Sequence, residues 1–278
     1  MINSISLAAE EWFGIKTDPD DAIKFEAYLW RTYGSGNPDI LKKVFSSGEA
    51  AGFLTVNETY FFREPAHFAF LRDLLPSFEN KKIRICSAAV ATGCEAYSIA
   101  MLIEAYNKGL EKPLSYHIDA FDINPMVIDA ACQGVYSARA MREDGSNFHY
   151  LANPFLKKFG DNYQVDSSLK KHICFFVHNL MNEFPSNGYD LIFFRNAFIY
   201  FSPQKRGRIL TNLAAALKEG GILILGVSET AGARHEELEA KNTNDVFYFQ
   251  KKSGSGSEDR SLFTDNQFYS KILETSKT

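Results

Sequence analysis

Short apolar runs alternate with longer amphipathic segments over most of the chain. The predicted strands are 82–89, 116–122, 172–178, 189–194, 221–227 and 245–250, and the predicted helices are 65–75, 94–106, 125–133 and 203–217. Strands that alternate with helices predict an α/β fold with a doubly wound, mostly parallel sheet. The last strand is expected to close one edge of that sheet. Because ligands bind such sheets beyond the carboxyl ends of the strands, we expect a functional site there.

The first 56 residues predict a small helical N-terminal domain. Asp18-Pro19 and Asn37-Pro38 are typical helix starts, because a capping side chain precedes a proline in each. Ile23, Ala27 and Trp30 recur at helical spacing and form the predicted apolar face of the first helix. Five basic and eight acidic residues give this region a net charge of −3.

Two further segments interrupt or follow the alternating pattern. Residues 137–171 form a basic insertion, in which 162–166 has the composition of a small strand. Ser253 opens a Gly/Ser linker, and residues 258–275 after it contain an amphipathic stripe. This tail is either a native docking segment or a partner peptide joined through the linker. The predicted domains are 1–56, 57–252 with the insertion inside it, and the tail 253–278.

Composition and charge exclude several functional classes. The chain has 278 residues, of which 45% are hydrophobic and 23% charged, with net charge −4 and pI about 5.9. This balance provides no basic field for nucleic acid, and no apolar stretch reaches the roughly 20 residues that span a membrane. The start of the chain lacks a secretory signal pattern. The four cysteines and six histidines show no metal-ligand spacing. We expect a cytoplasmic protein with reduced thiols and no metal.

The loop after the first strand has the composition of a ligand-binding turn. Small residues from Ala88 to Gly93 let a ligand approach the backbone, and the next helix offers free N–H groups. A single glycine is too few for a dinucleotide fingerprint, so a zwitterionic methionyl group fits better than a diphosphate. Glu95 then either meets the ammonium of that group or only complements the helix dipole.

Candidate nucleoside contacts follow the second and third strands. Asp122 ends the second strand 29 residues after Gly93, where a carboxylate can accept hydrogen bonds from a ribose diol. The alternative is that Asp122 caps the helix that begins at Pro125. Asn179-Leu180 follows the third strand, and Asn179 either contacts a base edge or only forms a turn.

Two distant segments carry the candidate reacting groups. Residues 57–64 read Asn-Glu-Thr-Tyr-Phe-Phe-Arg-Glu, and residues 194–201 read Phe-Arg-Asn-Ala-Phe-Ile-Tyr-Phe. By itself the first segment is typical of polar capping at a helix start. Together, and on this α/β pattern, residues 50–252 resemble the CheR family, S-adenosylmethionine-dependent methyltransferases that esterify glutamate side chains of chemoreceptors.

The resemblance implies a class I methyltransferase-like, Rossmann-type domain that binds S-adenosylmethionine and releases S-adenosylhomocysteine. It implies catalytic roles for Arg63, which would fix the acceptor carboxylate, and for Tyr200, which would orient the nucleophilic oxygen. Asn196 would bind the methionyl or sulfonium end of the donor. The implied cofactor-binding residues are Asn57, Thr59, Arg63, Ala89, Gly93, Glu95, Asp122, Ile123, Asn179, Leu180 and Asn196. The implied partner is a chemoreceptor or a related signalling protein, and in some family members a receptor peptide docks at the small β insertion. Here the insertion either binds such a peptide or only covers the donor site. Apart from the resemblance, the 258–275 tail is a second candidate for peptide docking.

The chain departs from the family pattern in two places. Positions 94–96 read Cys-Glu-Ala, where the family usually has two acidic residues followed by proline. The N-terminal region is short and acidic, whereas the family usually has a longer region with an Arg-rich helix for the receptor. Two alternatives therefore stay open. One is a methyltransferase with a different acceptor, and the other is a non-catalytic module that binds S-adenosylmethionine or a protein partner.

Overall fold

A computed structural model describes residues 1–142, 148–244 and 246–253. Its α-helices are α1 (Ile2–Phe13), α2 (Pro19–Tyr33), α3 (Pro38–Ser46), α4 (Ala51–Leu54), α5 (Pro65–Leu74), α6 (Cys94–Asn107), α7 (Pro125–Gln133), α8 (His149–Ala152), α9 (Ser167–Lys170) and α10 (Pro203–Ala216). Its strands are β1 (Lys82–Ala88), β2 (Ser115–Asp122), β3 (Val135–Ser137), β4 (Leu156–Phe159), β5 (Asn162–Val165), β6 (Ile173–Val177), β7 (Tyr189–Phe194), β8 (Leu217–Leu225), β9 (Leu238–Thr243) and β10 (Val246–Lys251). The predicted amphipathic segment 258–275 lies outside the described residues.

Seven strands form the central sheet, in the order β6-β2-β1-β7-β8-β10-β9. The first five pair in parallel, and β10 pairs antiparallel with both β8 and β9. The predicted doubly wound, mostly parallel α/β fold is therefore confirmed. The prediction that the last strand, β10, closes an edge of the sheet was wrong, because β10 lies between β8 and β9 and β9 is the edge strand. The sequence of β9, Leu-Glu-Ala-Lys-Asn-Thr, has little of the apolar alternation by which a strand is recognised.

The small β insertion is a three-stranded antiparallel sheet in the order β3-β5-β4. It is attached to the central domain through Tyr136, whose hydroxyl donates to the carbonyl of Thr92 at 2.5 Å. The Tyr136 ring also packs edge-on against Phe61, with ring centroids 5.0 Å apart. The insertion thus contacts both the loop after β1 and the segment that precedes α5.

The N-terminal region contains a helix that the sequence pattern does not predict. α1 lacks a side-chain cap at its start, but it buries Ile5, Ala9 and Phe13 at four-residue spacing. It ends at Gly14, whose φ of 75° is a conformation that glycine adopts without a steric cost. The absent cap removed the usual start signal, whereas the stop signal was present.

The predicted apolar face of α2 was wrong. Ile23 and Trp30 are 51% and 56% exposed, and α2 instead buries Ala22, Phe25 and Leu29. Both sets have helical spacing, so the sequence of α2 carries two candidate faces and spacing alone could not choose between them. The bulk of Phe25 decides the outcome, because its ring fills the space beside α3 and α4.

One hydrophobic cluster joins the N-terminal helices to the central sheet. It contains Phe13 of α1, Phe25 of α2 and Phe45 of α3, together with Phe194 of β7 and Leu213 of α10. Because this core is continuous, the helices are fixed next to the carboxyl end of the sheet, and the independence of residues 1–56 as a domain stays a prediction. Within the described residues, no helix is both long and apolar enough to cross a bilayer.

Candidate donor and acceptor site

A cavity of about 480 Å³ lies at the carboxyl ends of the parallel strands. That volume is within the usual range for small-molecule sites. All predicted site residues except Gly93 line it; they are Asn57, Thr59, Arg63, Ala89, Glu95, Asp122, Ile123, Asn179, Leu180, Asn196 and Tyr200. Another wall comes from the end of α1 and the segment between α1 and α2, including Phe13, Ile15, Lys16 and Asp18.

The predicted ligand contact of Gly93 is not supported, because this residue does not line the cavity. Its φ is 88°, and a Cβ added there would lie 2.9 Å from the Cβ of Ala131 and 3.1 Å from the ring of Phe175. Glycine is therefore required by backbone conformation and by close packing against α7 and β6. Its contribution to the cavity is indirect, since it lets the loop turn into α6.

The loop between β1 and α6 presents strained backbone to the cavity. Ala89 and Ala91 have φ values of 57° and 48°, in the left-handed region that L-residues rarely adopt. Such strain clusters at functional sites, where surrounding contacts hold it in place. Here the N–H of Val90 donates to the carbonyl of Phe121 at 2.9 Å, which ties the loop to β2.

Asp122 is a second tie between that loop and β2. Its buried carboxylate accepts the N–H of Ala91 at 2.9 Å and the N–H of Asn124 at 3.0 Å. Burial raises the pKa of Asp122, and these backbone hydrogen bonds only partly oppose that rise. The alternative role as a cap of α7 is wrong, because Asn124 is the capping residue and accepts the N–H of Met126 at 3.0 Å.

Asn179 has most of its side chain engaged within the protein. Its Nδ2 donates to the carbonyl of Trp12 at 2.6 Å, and its Oδ1 accepts the N–H of Met181 at 2.9 Å. One N–H and one lone pair of the amide remain for a ligand, and the base contact stays a prediction. Leu180 and Ile123 supply apolar surface beside it.

The two predicted catalytic side chains lie on separate segments that meet at the cavity. The Nη1 of Arg63 donates to the carbonyl of Glu58 at 3.2 Å, and its guanidinium lies 5.6 Å from the centroid of the Tyr60 ring. The backbone carbonyl of Tyr200 accepts the N–H of Lys16 at 2.8 Å. The N-terminal segment thereby fixes the position of Tyr200.

A buried ion cluster in the wall of the cavity includes Arg195, which was not assigned from the sequence. Arg195 is buried; its Nη2 donates to the carbonyl of Arg63 and lies 3.3 Å from Glu64 Oε2, and its Nη1 lies 3.2 Å from Glu95 Oε2. Glu95 also accepts the hydroxyl of Ser87 at 2.7 Å. Burial raises the pKa of Glu95, and the charge of Arg195 opposes the rise. Arg195 lies in segment 194–201, and a charged residue directly after an apolar strand was the sequence signal for it.

The positions that depart from the family pattern lie away from the cavity. Cys94 and Ala96 are fully buried in the core beneath the loop, and neither lines the cavity. Burial raises the pKa of the Cys94 thiol to about 12, so it stays protonated at neutral pH. These departures therefore change the packing of α6 rather than the cavity surface.

Comparisons with known proteins show the family to which the chain belongs. Residues 57–247 match the family model described as CheR methyltransferase, SAM binding domain. The chain is 37% identical over 188 residues to a chemotaxis protein methyltransferase of Borreliella burgdorferi, covering 64% of this chain and 65% of that one, just under two thirds of the relative. It is 32% identical over 202 residues to a chemotaxis protein methyltransferase of Listeria monocytogenes, covering 71% of this chain and 74% of that one. The solved N-methyltransferase NodS from Bradyrhizobium japonicum aligns at 14% identity and a TM-score of 0.41, covering 70% of this chain and 89% of that one.

Proposed function

This chain belongs to the CheR family of S-adenosylmethionine-dependent methyltransferases, and from that premise we propose that it methylates glutamate side chains of a chemoreceptor-type protein. The observation that carries the proposal is the meeting of Arg63 and Tyr200, which are 137 positions apart in the chain, at one cavity that also contains Asp122.

The residues of the cavity fit the donor in three parts. Asp122 has acceptor capacity left for a ribose diol, because each carboxylate oxygen has two lone pairs and uses one for a backbone N–H. Ile123 and Leu180 offer apolar surface to a flat base. Glu95 and Arg195 offer opposite charges to the ammonium and carboxylate of a methionyl group.

The chain's contribution to methyl transfer is positioning. Bound S-adenosylmethionine supplies a methyl group that is already activated by the positive sulfonium. A glutamate acceptor is ionised at neutral pH, so no strong base is needed. Arg63 would hold the acceptor carboxylate through its planar fork. Tyr200 would direct one carboxylate oxygen to a point about 3 Å from the methyl carbon, in line with the C–S bond.

The experiment that tests this proposal is label transfer from [methyl-³H]S-adenosylmethionine to the cytoplasmic part of a chemoreceptor. The expected product is a base-labile methyl ester that releases volatile methanol, and it should disappear when the receptor's candidate glutamates are changed to alanine. An Arg63→Ala enzyme is the matched control. Base-stable label, or label that is indifferent to those glutamates, would refute glutamate transfer.

A different acceptor is the second candidate, and the charge of the N-terminal region favours it. Residues 1–56, which supply part of the cavity wall, contain five basic and eight acidic residues and have a net charge of −3. An acidic surface is unfavourable for a glutamate-rich partner and favourable for a basic one. Label transferred to a protein of basic surface, with none on the receptor, would support this candidate.

The non-catalytic alternative receives less support from the structure. It was motivated by positions 94–96, yet Cys94 and Ala96 lie outside the cavity. Binding of S-adenosylmethionine without transfer to any acceptor protein would favour it.

The partner surface and the compartment are also proposals. The edge strand β4 of the insertion exposes Lys157, Lys158 and Phe159, which suits an acidic peptide with an apolar residue. The described cysteines are unpaired, consistent with a reducing compartment such as the cytoplasm.

A further inference from the structure

Asn196 has an unusual backbone conformation at the cavity wall. It is the second residue after β7, lines the cavity, and has a φ of 58°. Asparagine tolerates this left-handed region better than most L-residues, and specific contacts select it here. Two glutamates provide those contacts, and neither of them lines the cavity.

Glu229 holds the backbone of Asn196. Its buried carboxylate accepts the N–H of Asn196 at 2.7 Å, that of Gly226 at 2.8 Å and that of Ile199 at 3.2 Å. Burial raises the pKa of Glu229, and these three hydrogen bonds oppose the rise. With the backbone of Asn196 fixed in this way, only the direction of its side chain remains to be set.

Glu64 holds the side chain of Asn196. Its Oε1 accepts the Asn196 Nδ2–H at 2.7 Å, across 132 positions of sequence. Its Oε2 lies 3.3 Å from Arg195 Nη2 and 3.2 Å from His67 Nδ1. Burial alone would raise the pKa of Glu64, but hydrogen bonding with His67 and the charge of Arg195 outweigh it and hold the pKa well below its usual range.

The backbone of Glu64 is itself strained in the same way as that of Asn196. Its φ is 58°, and it precedes Pro65 at the start of α5. Two left-handed residues from distant segments thus join through a single charge-assisted contact. The Glu64 side chain does not cap α5, so capping the helix does not account for its position.

We propose that Glu64 is a positioning residue of the donor site, which acts by directing the Asn196 amide into the cavity. It does not touch the donor itself. This assignment rests on donor binding by the family and not on the identity of the acceptor, so it can be tested whether or not glutamate transfer is found.

The test is a double-mutant cycle on the binding of S-adenosylhomocysteine to the full chain, measured by calorimetry. The proteins are the wild type, Glu64→Leu, Asn196→Ala and the double variant. Leucine has no acceptor for the Asn196 amide, and residues in direct contact are energetically coupled, so Glu64→Leu should weaken binding on the order of tenfold. In the Asn196→Ala background the same change should cause no further loss.

Three outcomes would overturn the proposal. Glu64→Leu with wild-type affinity would show that the contact does not matter for the donor. If the affinity losses of the two single variants multiply in the double variant, Glu64 acts through Arg195 rather than through Asn196. A lower melting temperature with unchanged affinity of the folded protein would mark Glu64 as merely structural. Asp73→Asn, which removes an exposed ion pair with Arg72 on the same helix, is the matched control and should change nothing.

Discussion

Changing Asp122 to asparagine removes the negative charge that the ribose would contact and keeps nearly the same side-chain shape. Asp122 is buried, and its two oxygens each accept one backbone N–H, from Ala91 and from Asn124. Each oxygen therefore keeps one acceptor position, which matches the two hydroxyls of a ribose. Asparagine has nearly the same shape but offers a single oxygen and no charge.

The expected loss follows from the number of hydrogen bonds. A hydrogen bond to a charged group contributes about 1.5–3 kcal/mol, and the amide group of asparagine cannot accept the second hydroxyl. At about 1.4 kcal/mol for each factor of ten, the loss of one such bond weakens S-adenosylhomocysteine binding by roughly 10- to 150-fold.

Calorimetry with S-adenosylhomocysteine and its 2′-deoxy analogue measures this contact directly. The wild type should bind the analogue more weakly than the parent compound, whereas Asp122→Asn should bind the two nearly alike. Asp119→Asn is the matched control, because Asp119 lies on the same strand and contacts Tyr189 and Arg84 rather than the cavity. Wild-type affinity in Asp122→Asn, or undiminished discrimination between the two ligands, would refute the ribose assignment.

Three further predictions follow from the described contacts. Arg63→Ala should lower the transfer rate about 100-fold while changing S-adenosylhomocysteine affinity little, because it removes acceptor positioning; a loss confined to donor affinity would contradict this. Because the folded protein lowers the pKa of Glu64, the ionised side chain should stabilise the fold fully at pH values above its unfolded-state pKa of about 4.3, and this stabilisation should be lost as pH falls toward the folded-state pKa. The difference in melting temperature between the wild type and Glu64→Gln should therefore shrink below about pH 4. A difference in melting temperature that grows at acidic pH would contradict the lowered pKa of Glu64. At pH 8 a thiol reagent should modify the exposed Cys132 and Cys174 in the native protein and spare Cys94, whose pKa burial raises to about 12; early loss of the Cys94 thiol would contradict its burial.

The strand-end residues could be located from sequence because the fold class itself brings them together. Asp122, Glu95 and Asn179 follow three different strands, and parallel strands end at one edge of the sheet. Once the alternating pattern predicts such a sheet, their proximity requires no further information. Their ligand roles stay predictions.

The contacts that hold these residues in place could not be read in the same way. Glu64 reaches Asn196 across 132 positions, and Glu229 binds backbone N–H groups, which every residue other than proline possesses. No local pattern marks either contact. The left-handed conformation of Glu64 is equally hidden, because glycine and asparagine are the usual signs of such a backbone. At Asn196 the asparagine itself was an available signal.

The order of synthesis has a consequence for this architecture. The N-terminal segment forms one wall of the cavity through the pairing of Ile15 with Phe201 and the contact of Lys16 with Tyr200, while Glu229 holds the backbone just before these two partners. A nascent chain leaves the ribosome from its first residue onward, whereas a domain generally folds as a unit. The N-terminal segment must therefore wait for Tyr200 and Phe201, which follow more than 180 positions later, and an emerging chain would acquire affinity for the donor only after Glu229 has left the exit tunnel.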